Sequence, residues 1–146
     1  KAALIVNMRR SGQTDEAIAA LSKARELKND YFEADFWLGE AYAKKGENDQ
    51  ALAYLLPLNG KYNEEALNFE IGRVFFNKKN YGEAVKYFNN VLSSAPNSVN
   101  AIYSLGLALE ASGEKEAAIF NFKKALKLSP DNAELKNKVT ELEKKP

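Results

Sequence analysis

Cysteine and histidine are both absent from this chain. Without them there is no zinc site of the usual kind, no thiolate nucleophile and no Ser-His-Asp triad, so neither a metal, a cofactor nor a catalytic residue is expected. A chain without cysteine survives in an oxidising or a reducing compartment, and cytoplasm and periplasm both stay open. No single charge dominates either. The 21 basic and 20 acidic residues are interleaved to a net charge of +1, with no basic block that would release counterions from a nucleic acid. The longest apolar runs last a handful of residues, too short to insert in a membrane. The 8 glycines are scattered, and none forms GxGxxG or GxxxxGK followed by Ser or Thr. No signal peptide is legible, and the opening Lys1 reads as the start of a piece excised from a longer protein.

What is present is a repeat. In 146 residues, one domain's worth, three segments begin alike: Leu38-Gly39, Ile71-Gly72 and Leu105-Gly106. Their glycines lie 33 and 34 residues apart. A small-residue ladder, Ala17, Ala51, Ala84 and Ala118, keeps the same step, and so does a large one, Leu21, Leu55, Phe88 and Phe122. Each large residue follows its alanine by four, on one helical face. Pro96 and Pro130 end the last two units. The last unit shows the plan. Residues 101–112 carry Ile102, Leu105 and Leu109 at helical spacing, Gly113 turns the chain, and 116–128 carry Ile119, Phe122 and Leu126. A single hairpin of this kind cannot bury its own apolar face, so neighbours must stack into an all-α solenoid.

Leu105-Gly106, Leu109, Gly113, Ala118, Phe122, Ala125 and Pro130 match, in order, the signature of the tetratricopeptide repeat, which this chain resembles over essentially its whole length. The resemblance implies a right-handed superhelix of antiparallel hairpins, with units at about 1–31, 32–64, 65–98 and 99–132. Residues 133–146, with Leu135, Val139 and Leu142 on one face, look like the capping helix of such arrays. The position this family usually gives to Trp holds Lys1, Asp35, Asn68 and Ile102. Unit one also departs, with Ile5 for the glycine and Met8 for an aromatic.

Four acidic groups are the only candidates for acid–base chemistry: Asp15-Glu16, Glu47 with Asp49, Glu64-Glu65, and Glu114 with Glu116. All fall at expected helix starts, where negative charge complements the dipole. Arg9-Arg10 and Lys44-Lys45 fall near helix ends, where cations belong. The chain therefore reads as a binding module and not as an enzyme.

In this family the inner face is lined chiefly by the first helix of each unit. Carried over, that face takes Phe36, Phe69 and Tyr103, then Trp37 and Glu70, then Glu40, Arg73 and Leu107, then Phe76 and Glu110. Unit one would add Ala2, Ala3, Val6 and Arg9. The expected groove is an aromatic stripe edged by charge. Adjacent exposed aromatics mark a binding surface, suited to a peptide or partner helix with apolar anchors. One sub-class, which grips the acidic tails of heat-shock chaperones with Lys, Asn and Arg, is excluded. Its positions hold Ala2, Val6, Trp37, Ala66 and Glu70, or Phe36, Glu40, Glu70, Asn100 and Ser104, and no such set grips a carboxylate. Two other roles stay open: self-assembly into homo-oligomers through the apolar N-terminal end, and a regulatory or recruiting segment of a larger enzyme or of a secretion or assembly complex.

One passage breaks the repeat. First-helix caps are expected at Asp30, Asn63, Asn97 and Asp131, with one residue missing between Leu55 and Asn63. Pro57 lies in that interval, and a proline removes one helical hydrogen bond and crowds the preceding turn. The second helix of unit two should stop near 56–58, with Asn59 or Gly60 left-handed.

Overall fold

Each helix of the array starts where the chain offers a cap or negative charge to the free N–H groups of a first turn. The structure, a computed structural model, describes residues 14–28 and 31–144. Among these are eight α-helices and no strand: α1 Thr14–Leu27, α2 Phe32–Lys44, α3 Asn48–Leu55, α4 Glu64–Asn77, α5 Tyr81–Ser94, α6 Val99–Ala111, α7 Lys115–Leu128 and α8 Ala133–Lys144. Asp15, Glu16, Asp49, Glu64, Glu65 and Glu116 all lie in first turns. Glu47 and Glu114 are N-cap residues. The acidic pairs thus belong to helix starts.

Two of the expected caps are displaced by one residue. Asn63 does cap α4, accepting from the Ala66 N–H at 3.0 Å. For α6 the cap is Ser98, accepting from Ala101, and for α8 it is Asn132, accepting from Leu135. Asn97 and Asp131 instead follow Pro96 and Pro130 inside tight turns, closed by Ser98 N–H to Ala95 and Asn132 N–H to Ser129. A proline favours the second turn position, so its successor is held in the turn and the cap falls one later. Asp30 lies outside the described residues, as do Ala2, Ala3, Val6, Arg9 and the other unit-one positions before residue 14.

Each described first helix ends in the same device. The Glu47 N–H reaches Tyr42 and Gly46 reaches Ala43; Asn80 reaches Phe75 and Lys79 reaches Phe76; Glu114 reaches Leu109 and Gly113 reaches Glu110. This Schellman pattern needs a left-handed residue, supplied by Gly46 (φ 81°), Lys79 (φ 64°) and Gly113 (φ 89°). Within each of these three hairpins the two helices then meet at a glycine. A Cβ on Gly39 would lie 2.5 Å from Leu55, and on Gly72 or Gly106 it would lie 2.6 Å from the ring of Phe88 or Phe122. The glycine series and the large ladder of the sequence are therefore one contact, a large side chain filling the space a missing Cβ leaves.

The helix before Pro57 does stop early. α3 has 8 residues where α5 and α7 have 14. The chain continues as a 3-10 turn, Leu56–Leu58, and then a β-turn in which the Lys61 N–H donates to Leu58 at 2.8 Å. Asn59 (φ −54°, ψ 124°) and Gly60 (φ 79°) give that turn type II geometry. The Gly60 N–H donates to the Glu64 carboxylate at 2.6 Å. Leu58 is buried, and Tyr62 stacks on Phe36 with ring centroids 4.6 Å apart.

Candidate functional site

Helices α2, α4 and α6 are the first helices of successive hairpins, α2 contacts α4, and α4 contacts α6. Three hollows run along their C-terminal halves. The smallest is bordered by Thr14, Ala17, Glu40, Ala41 and Lys44. The next, of 290 Å³, is lined by Glu40, Ala43, Lys44, Glu70, Arg73, Val74 and Asn77. The third, of 140 Å³, is lined by Arg73, Phe76, Asn77, Phe88, Ser104 and Leu107. Neighbouring hollows share Glu40 with Lys44, then Arg73 with Asn77, so together they form one furrow.

The aromatic stripe expected from sequence is divided by the fold. Phe36 and Trp37 are only 7% and 9% exposed and belong to the core formed with Leu38, Leu55 and Ile71. This corrects their reading as exposed anchors. Tyr62, brought over by the Pro57 detour, covers Phe36, and a ring so buried has no surface left for a ligand. Phe69 is half-buried against Phe88 and lines a separate 190 Å³ hollow with Glu65, Ala66 and Val91. Tyr103 packs on Phe122, 5.7 Å between centroids, and its hydroxyl donates to Glu134 of α8. Burial, then that hydrogen bond and the Glu134 and Glu110 charges, push the phenol up to about 12. Phe76, edge-on to Tyr81, keeps part of its ring in the furrow, opposite Leu107.

The charged members also sort by partner. Glu70 is buried, 5% exposed, and its carboxylate lies 3.5 Å from the Arg73 guanidinium, itself 57% exposed. A carboxylate at that depth needs such a partner, because burying an unpaired charge is costly. Glu110 pairs with Lys138 of α8 at 2.8 Å, and Lys138 also stands over the Phe122 ring. Helix α8 therefore engages both Tyr103 and Glu110. Glu40 and Arg73 remain furrow residues. Ala43, Lys44, Asn77 and Ser104 line the furrow too, and of these Asn77 has no counterpart among the residues named from sequence. Lys44 and Asn77 stand four residues after Glu40 and Arg73, a spacing that places each pair on one helical face. Among the described residues there is no cluster of His, Cys, Asp and Glu fit to hold a metal ion, and no helix long and apolar enough to cross a membrane.

Comparison with known proteins agrees with this architecture. A family profile described as TPR repeat matches residues 8–46, and one described as tetratricopeptide repeat matches 69–133. The TPR repeat-containing protein YpiA of Bacillus subtilis (strain 168) is 29% identical over 122 residues, covering 82% of this chain and 29% of that protein. The chain thus spans less than a third of that relative's length. MamA 41-end from Desulfovibrio magneticus RS-1 superposes with a TM-score of 0.87 at 23% identity, over 97% of this chain and 80% of that one. YrrB, described as a TPR protein with an unusual peptide-binding site, gives 0.78 at 19% identity, over 94% and 72%. The first TPR of Spaghetti (RPAP3), bound to the HSP90 peptide SRMEEVD, gives 0.70 at 22% identity, over 77% and 90%.

Proposed function

Because the chain belongs to the tetratricopeptide repeat family, we propose that it is a non-catalytic interaction scaffold whose furrow holds a peptide segment of a partner protein. The observation that carries this reading is the furrow itself. Its walls come chiefly from α2, α4 and α6, and its apolar stretch, Phe76 opposite Leu107, packs on the core with part of each side chain left exposed. A partly exposed aromatic beside an aliphatic residue is the kind of anchor point that dominates interface energetics. Peptide binding by the structural neighbours YrrB and RPAP3 supports the same reading. The peptide held here belongs to a different class from acidic chaperone tails, since the clamp positions carry Phe36, Glu40, Glu70, Asn100 and Ser104.

The test is fluorescence anisotropy with a labelled peptide selected on this chain from a random displayed library. Phe76→Ala and Leu107→Ala should each weaken binding at least tenfold, about 1.4 kcal/mol, while helicity and melting temperature hold. Unchanged affinity in both variants overturns the furrow as the site.

A further inference from the structure

The two larger hollows of the furrow differ in chemistry, and the difference describes an occupant. Between α2 and α4, Glu40 and Lys44 stand about one helical turn apart, as do Glu70 and Arg73, so two acids and two bases line a hollow without net charge. A ligand carboxylate there meets Glu40 and Glu70, and an ammonium meets Lys44 and Arg73. Either loses hydration in exchange for attraction and repulsion that offset each other. A primary amide has no such conflict, because it donates and accepts hydrogen bonds at once and costs less to desolvate.

The next hollow, of 140 Å³, shows mostly apolar surface, with Phe76, Phe88 and Leu107 lining it beside Arg73, Asn77 and Ser104. A cavity of about 150 Å³ admits a benzene molecule, so this one is of a size for a single Leu, Ile, Met or Phe side chain. Packed helices stand about 8–10 Å apart. A polyproline II segment advances about 3.1 Å per residue with three residues per turn, which puts side chains i and i+3 on one side, about 9 Å apart. Building on the peptide-binding function above, we propose that the furrow selects an extended, locally uncharged peptide, with Asn or Gln in the hollow between Glu40 and Arg73 and an apolar side chain three residues away between Phe76 and Leu107.

The experiment pans the full 146-residue chain against a random displayed peptide library. Enriched sequences should pair Asn or Gln with Leu, Ile, Met or Phe at a separation of three, in one direction of the chain. A selected peptide should change affinity by less than about two-fold between ~0.1 M and ~1 M salt, over which the screening length falls from about 10 Å to about 3 Å. Glu40→Gln leaves the hollow with a net positive charge. Changing the peptide's Asn to Asp, or Gln to Glu, should then raise affinity several-fold in that variant and lower it in the wild type. Enrichment of Asp, Glu, Lys or Arg at that place, or a steep loss of affinity with salt, overturns the uncharged-peptide proposal and leaves the furrow function standing. Selected peptides indifferent to both Phe76→Ala and Leu107→Ala overturn the furrow function as well.

Discussion

Gly106→Ala tests the contact on which each hairpin is built. A Cβ added there would lie 2.6, 2.9 and 3.0 Å from three ring atoms of Phe122, against about 3.5–4.0 Å for carbon atoms in good contact. The ring must retreat by about 1 Å to restore that separation. It has little room to do so, because Phe122 is fully buried with Tyr103 and Lys138 against it. Overpacking of this kind costs roughly 1–3 kcal/mol, and the rigid surroundings favour the upper part of that range. Replacing a mid-helix glycine by alanine recovers about 1 kcal/mol of helix propensity. The net expectation is a loss of about 1–2 kcal/mol. In a Phe122→Ala background, itself about 3–5 kcal/mol less stable, the obstacle is gone and the same change should stabilise by about 1 kcal/mol. Urea unfolding followed by far-UV circular dichroism measures the cycle, fitted with a nearest-neighbour repeat treatment if the array unfolds in stages. Gly82→Ala in the first turn of α5, where a Cβ meets nothing within 4 Å, is the control and should not destabilise. If Gly106→Ala costs nothing, or has the same effect in both backgrounds, the backbone approach is not what the glycine provides.

Other outcomes follow from single sites. Lys79 occupies the left-handed position that Gly46 and Gly113 hold in the flanking units; Lys79→Gly should stabilise by about 0.5–1 kcal/mol, the αL strain relieved less the added unfolded-state entropy, read from the urea midpoint. Gly60→Ala, at φ 79°, should destabilise by about 1 kcal/mol and loosen the turn after Pro57, seen as faster amide exchange at Lys61. Tyr103 holds its proton more tightly folded, at about 12, than unfolded, near 10. Its contribution is complete below the unfolded value and is lost as pH rises from there through 12. Absorbance titration should therefore lose one tyrosine ionisation near pH 12 in Tyr103→Phe, and that variant's stability should fall less steeply across the same alkaline window.

Much of this architecture is written locally. The small and large ladders, their steps of 33 and 34 residues, and the helix stop at Pro57 depend on residues near one another in sequence, so periodicity and turn chemistry expose them. The displaced caps at Ser98 and Asn132 were within reach too, because each is the residue that closes a proline turn.

Which aromatic rings remain available to a partner was decided by the tertiary structure alone. Phe36 and Phe76 stand in comparable amphipathic helices, and nothing in their neighbourhoods separates a core ring from a furrow ring. Phe36 is covered because a connector one residue short swings Tyr62 onto it, and Trp37 is enclosed with it. Tyr103 and Glu110 are engaged by Glu134 and Lys138, about thirty residues further on. Helix periodicity records which way a side chain points. Exposure depends on what other segments lay across it, and that is settled only when the hairpins stack.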